Sequence, residues 1–160
     1  MQLSSIKNEI IAPTLKEIGL YSDTALNLVT GTGLVESGFR FTSQIGGGPA
    51  LGWFQMEPAT HDDCWRNYLA YRKDIAQKIL SLLPENLSPA ASKFHPQASC
   101  LIYPAYAAAM CRVKYLRVPA PLPPNDAQSL SLYHKLYYNT MQGKADATKN
   151  IPLFQAVIGA

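Results

Sequence analysis

The apolar positions of this chain recur mostly at helical spacing. In "IKNEIIAPTLKEIGL" they return every three or four places, which predicts an amphipathic helix with Pro13 as a kink or break and Gly19 as its stop. "SDTALNLVTGTGLVESGF" predicts a second helix: Ser22 suits the N-cap, Ala25, Leu26, Val29 and Leu34 supply apolar positions, and Gly38 suits the C-terminal end. Residues 39–57 lose that period and read as loop and short strands, the one region of β character. Pro58 then fits the first turn of a helix over "PATHDDCWRNYLAYR". "DIAQKILSLL" predicts another, ended by Pro84. Residues 97–117 predict a long buried helix rich in Ala and Tyr, with Pro104 early in it. "DAQSLSLYHKLYYNT" is the last substantial helix and "IPLFQAVIG" a short closing one. Too few residues follow the Pro-rich "VPAPLPPND" to fold alone, so it reads as a stiff connector inside one domain spanning residues 1–160. The expected class is mostly α (α+β), with one small β-rich excursion at about 39–57.

Composition narrows the partners. A chain of 160 residues, 48% hydrophobic and 16% charged, is long enough to bury a core without disulfides. No apolar run approaches the ~18–20 residues that cross a bilayer, so no membrane span is expected. "MQLSSIKNEIIAPTLKEI" interleaves charged and apolar residues and does not read as a secretory signal. Cys64, Cys100 and Cys111 are odd in number and lack C-x-x-C spacing, which suggests reduced, buried thiols. The net charge of +3 is too small and too scattered to argue for nucleic acid.

Candidate chemistry centres on Glu36. It sits in "GTGLVESGF" among apolar residues and glycines, with no Lys or Arg within three positions. It also falls at the predicted C-terminal end of its helix, where the macrodipole disfavours a second negative charge. Desolvation and dipole both favour the protonated carboxyl, the form a general acid needs. The alternative is a solvated Glu with no special role. Downstream, "GWFQMEPAT" combines Trp53 and Phe54 with Gln55 and Glu57 in one short stretch, a mixture that suits a ligand cleft better than a core strand or a solvent loop.

"ESGF", followed about 15 residues later by "GWFQMEPAT" and much later by "LYYNTMQGK", resembles the motif series of the lytic transglycosylases within the lysozyme-like superfamily. Glu36 and Ser37 stand at that family's Glu-Ser pair, Gly52 to Met56 at its Gly-Leu-Met-Gln-Leu run, Pro58, Ala59 and Thr60 at the tail of that run, and Tyr138 and Asn139 at its Tyr-Asn pair. Trp53 and Phe54 replace aliphatics, and Glu57 occupies a position usually neutral or apolar. The resemblance covers roughly residues 23–67 and 130–145. It implies a lysozyme-like fold, with helices around a cleft, and cleavage of the β-1,4 bond between N-acetylmuramic acid and N-acetylglucosamine in peptidoglycan glycan strands. Glu36 would serve as the single acid and base. Ser37, Gln55, Tyr138 and Asn139 would lie near the saccharide, and the faces of Trp53 and Phe54 would suit a sugar ring. A core role remains open for Phe54, and a helix-end structural role for Asn139.

Rival readings follow from other carboxylates and from the histidines. Glu57, Asp62 and Asp63 would let a hydrolytic lysozyme of the same fold use a second carboxylate, although acids at a helix start are favoured by the dipole anyway. His61, His95 and His134 are widely spaced and suggest no metal group; no cofactor is implied. Ser37 lacks a triad partner, and "GGGPALG" lacks the Gly-Lys-Ser/Thr of a phosphate loop. A non-catalytic lysozyme-like component of a phage tail is the alternative from a different class. Reduced thiols without a secretory signal suit a virion-associated protein, made in the host cytoplasm and delivered with other phage proteins to the periplasmic cell wall. A holin-released endolysin is the runner-up.

Overall fold

The computed structural model describes residues 1–40, 48–87, 95–139 and 144–160; helix accounts for 68% of it and strand for almost none, as the mostly-α reading requires. At Pro13, expected to kink or break the helix, no break occurs. Helix α1 runs on through Leu3–Ser5, a π-helical stretch Ile6–Ile11 and Ala12–Glu17. A proline cannot donate to the carbonyl four residues back, and its ring crowds that carbonyl. The wide π turn just ahead of Pro13, in which the Ala12 N–H reaches the Lys7 carbonyl, absorbs both effects.

Helix α2 (Asp23–Glu36) starts at Ser22, whose hydroxyl accepts the Ala25 N–H at 3.0 Å. Every residue from Ala25 to Gly33 is buried, so α2 is packed on all sides rather than along one stripe. It stops at Gly38, where φ is 63° and the N–H turns back to the Gly33 and Leu34 carbonyls. Glu36 is thereby fixed at the last turn of a fully embedded helix.

Helix α3 (Pro58–Asn67) begins with its proline in the first turn, and α4 (Lys73–Leu80) follows. The single helix expected over 97–117 is two pieces, a 3-10 turn Ala98–Ile102 and α5 (Pro104–Leu116). Tyr103 between them is extended (φ −84°, ψ 119°), the region to which a following proline confines it. Helix α6 (Ala127–His134), capped by Asp126, passes into a π-helical stretch Lys135–Asn139. Helix α7 (Ala147–Ile158), capped by Asp146, packs against α2 and α6 and is longer than the sequence pattern indicates.

The β-rich excursion expected at about 39–57 amounts, among the described residues, to one antiparallel bridge between Leu51 and Met56. Residues 41–47 of that stretch lie outside the described residues. A four-residue turn joins the two bridged positions, and Phe54 within it packs into the helical core instead of extending a strand. Cys64, Cys100 and Cys111 are free and buried, and no helix among the described residues is long and apolar enough to cross a membrane.

Candidate functional site

Glu36 ends α2 with its side chain 16% exposed, at the edge of a pocket of about 320 Å³. Val35, Asn139, Lys144, Lys149 and Asn150 also line that pocket. Two donors approach the same carboxylate oxygen: His134 Nε2 lies 3.2 Å from Oε1, and Asn139 Nδ2 donates to it across 3.5 Å. These residues are five apart in sequence. On an α-helix that spacing points them well away from each other, but the π-helical stretch Lys135–Asn139 aligns positions i and i+5 more closely. Asn139 is held in turn by its own oxygen, which accepts the Ala145 N–H at 3.0 Å. The π turn is thus the local feature that converges two donors on one carboxylate.

Beside Glu36, the turn Gly52–Gln55 is held from two sides. The Ser37 hydroxyl donates to the Trp53 carbonyl at 2.7 Å and accepts the Phe39 N–H at 3.1 Å. The Tyr138 hydroxyl donates to the Phe54 carbonyl at 2.6 Å. Both ends of the sequence motif series therefore grip the middle one. Gly52, with φ 76°, lets the turn approach so closely that any Cβ there would collide with the Leu101 carbonyl. Gln55 adopts φ 47° without being glycine, and its Nε2 donates to the Gly52 carbonyl at 2.9 Å. Non-glycine residues in that region cost about 1–3 kcal/mol and cluster at functional sites.

The expected site residues therefore separate into two sets. Glu36 and Asn139 line the pocket, and Trp53 and Gln55 are part-exposed on the turn. Ser37, Phe54 and Tyr138 are buried. Phe54 is 1% exposed and presents no face to a sugar, so its expected sugar-facing role gives way to core packing. Tyr138 and Ser37 likewise spend their hydroxyls on backbone carbonyls and act as supports of the turn. Burial pushes the Tyr138 hydroxyl well above its ordinary range, which keeps it a hydrogen-bond donor. Trp53 meets Phe39 edge to face at 5.1 Å.

Lys114 donates to the Tyr138 carbonyl at 2.8 Å and lies 4.0 Å from the Tyr138 ring centroid. Desolvation lowers its ammonium below the ordinary lysine value, while the charges of Glu36 and Glu57 oppose that shift. Glu57 occupies the N-cap position of α3, exposed, without a side-chain capping bond. Asp63 pairs with Arg117 at 2.8 Å, away from any role in a carboxylate pair with Glu36.

Sequence reasoning missed His134. Its only signal was a position four before Tyr138 on the same predicted helix, which puts the two rings on one face; they stack with centroids 5.8 Å apart. It also missed that His61 and His95, far apart in the chain, converge on Asp62 with donor atoms within 4.8 Å of one another. Spacing indicated no metal-type group, and the fold makes one. Compared with protein families, curated proteins and solved structures, the chain matches none of them.

Proposed function

We propose that the protein is a peptidoglycan lytic transglycosylase of lysozyme-like fold, with Glu36 as the single acid and base. The observation that carries this reading is the Glu36 carboxyl itself: part-buried, at a helix C-terminus, on a pocket wall, with His134 and Asn139 both directed at Oε1. That arrangement supports Oε2 as the oxygen that exchanges a proton. Protonated Glu36 would donate to the glycosidic oxygen as the bond to the muramyl anomeric carbon breaks, leaving an oxocarbenium-like centre. The muramyl 6-hydroxyl would then attack that carbon while its proton returns to Glu36, giving a 1,6-anhydro end with no water consumed. The strained turn at Gln55 and the part-exposed Trp53 supply the adjoining surface for sugar. Free, buried thiols fit synthesis in a reducing cytoplasm, in keeping with a virion-associated enzyme that meets the wall after delivery.

Mass spectrometry of digested sacculi tests the reading, because anhydro ends and hydrolysed reducing ends differ by one water. Glu36→Gln keeps the shape and removes the proton; wall cleavage should fall at least ~100-fold, the scale of general acid catalysis, with circular dichroism unchanged. An active, folded Glu36→Gln protein would overturn the assignment. The second reading is a hydrolytic lysozyme with Glu57 as second carboxylate, a residue exposed at the start of α3 and making no capping bond there. Under it, Glu57→Gln would lose as much activity as Glu36→Gln, and the products would carry reducing ends. A third, non-catalytic reading predicts no cleavage by the parent protein.

A further inference from the structure

We propose that His61, Asp62 and His95 form a binding site for a divalent transition-metal ion of the zinc class, clamping α3 to the segment that leads into α5. One nitrogen of each histidine and one Asp62 oxygen lie within 4.8 Å of one another. His61 Nδ1 is 2.9 Å from Asp62 Oδ1, and His95 Nδ1 is 4.0 Å from the same oxygen. Zinc takes nitrogen and oxygen ligands at ~2.0–2.2 Å, so its ligands stand roughly 3–3.5 Å apart. The His61–Asp62 pair is near that spacing, and His95, 4.0 Å from Asp62, must move inward to join them. His95 Nδ1 also lies 2.7 Å from the Pro96 carbonyl, a contact it would give up on taking the ion.

The surroundings are those of a held ligand set. His61 is fully buried, and its Nε2 sits 2.7 Å from the Tyr106 hydroxyl, which accepts the Trp65 indole N–H at 2.9 Å. Partners of this kind on the second nitrogen fix the orientation of metal-bound histidines. Trp65 also stacks on His95, with centroids 6.3 Å apart and planes 20° apart. Asp62 and His95 keep 31% and 15% of their side-chain surface exposed, which gives an ion a way in. Two imidazoles and one carboxylate suit zinc or cobalt better than magnesium or calcium.

The test uses the full chain, stripped with a chelator and titrated with Zn²⁺ by calorimetry, then with Co²⁺ by absorption. Saturable one-to-one binding is expected, with cobalt d–d bands and no near-ultraviolet thiolate charge-transfer band. His95→Ala should weaken zinc by more than the ~10–100-fold that loss of an outer partner costs, and Tyr106→Phe by about that amount. Asp62→Asn serves instead if His95→Ala does not fold. Absence of binding by the parent, a thiolate band pointing to the cysteines, or undiminished binding by a folded ligand variant would each overturn the proposal. None of these readouts depends on wall cleavage.

Discussion

His61 and His134 are both fully buried and both lie against a carboxylate, yet their second nitrogens differ. At His61 the donors and acceptors form a closed chain. Without metal, the Asp62 carboxylate can only accept, which puts the His61 proton on Nδ1; Nε2 then accepts the Tyr106 hydroxyl, whose oxygen accepts the Trp65 N–H. At His134, Nε2 faces Glu36 while Nδ1 is buried with no partner among the described residues. A buried polar atom left that way costs about 1–3 kcal/mol. Stacking on Tyr138 and contact with Phe154 hold the ring there regardless. A folding histidine satisfies both its nitrogens; one placed for chemistry can leave one unmatched, because its position serves the carboxylate in front of it.

Replacing each histidine by phenylalanine separates the two roles most sharply. His134→Phe keeps the ring and removes the unmatched nitrogen, so the urea midpoint should hold or rise. Wall cleavage should fall by roughly 10²-fold, the effect of misplacing a reacting group by about 1 Å. His61→Phe leaves the Tyr106 hydroxyl and Asp62 without their His61 partner, at about 1–3 kcal/mol, with turnover per folded molecule nearly unchanged. Urea unfolding and sacculus digestion on both variants decide it. Matching losses in stability and activity would erase the distinction.

What the sequence made legible depended on how local the cause was. The Ser22 cap, the Gly38 stop and the Pro58 start are set by residues within one turn of the boundary, and each appears where the pattern put it. At Pro13 the pattern leaves kink and break both open because the rule concerns an α-helix, and the π turn that lets the helix continue leaves no mark in apolar spacing. Glu36, Gln55 and Asn139 could be singled out by motif. The His134–Glu36 contact joins residues 98 apart, and the Tyr138–Phe54 contact residues 84 apart. Pairings at that range come from how α2 and α6 pack, and a single chain's periodicity does not encode them.

A smaller contrast lies in the tyrosines behind the two histidines. Tyr106→Phe orphans both His61 Nε2 and the Trp65 N–H, and should cost about 1–3 kcal/mol. Tyr138→Phe takes its donor from the Phe54 carbonyl and its partner from the weakly hydrogen-bonding Cys111 thiol, and should cost about 0.5–1.5 kcal/mol. Its trace should appear instead in KM, because the turn carrying Trp53 and Gln55 loses one of its two ties. Equal destabilisation by the two would mean that the chain through His61 is no more closed than the tie at Phe54.

The smallest expected effect is a pH dependence confined to His61. Burial lowers its imidazole below the ordinary value, with the Asp62 hydrogen bond and charge opposing. As the pH drops below ~6.5, the unfolded chain takes up a proton that the folded protein still refuses. This contribution is therefore complete above pH ~6.5 and is lost as pH falls from there through the folded value; one proton limits the slope to about 1.4 kcal/mol per pH unit. Urea unfolding of parent and His61→Phe, from about pH 8 to about pH 5 with chelator present, isolates it. The parent's advantage should be constant above pH ~6.5 and shrink below it. An advantage that stays constant into acid would mean the folded protein accepts that proton freely. The imidazole could then swing out of the Tyr106–Asp62 chain, and the closed network that sets it apart from His134 would not exist.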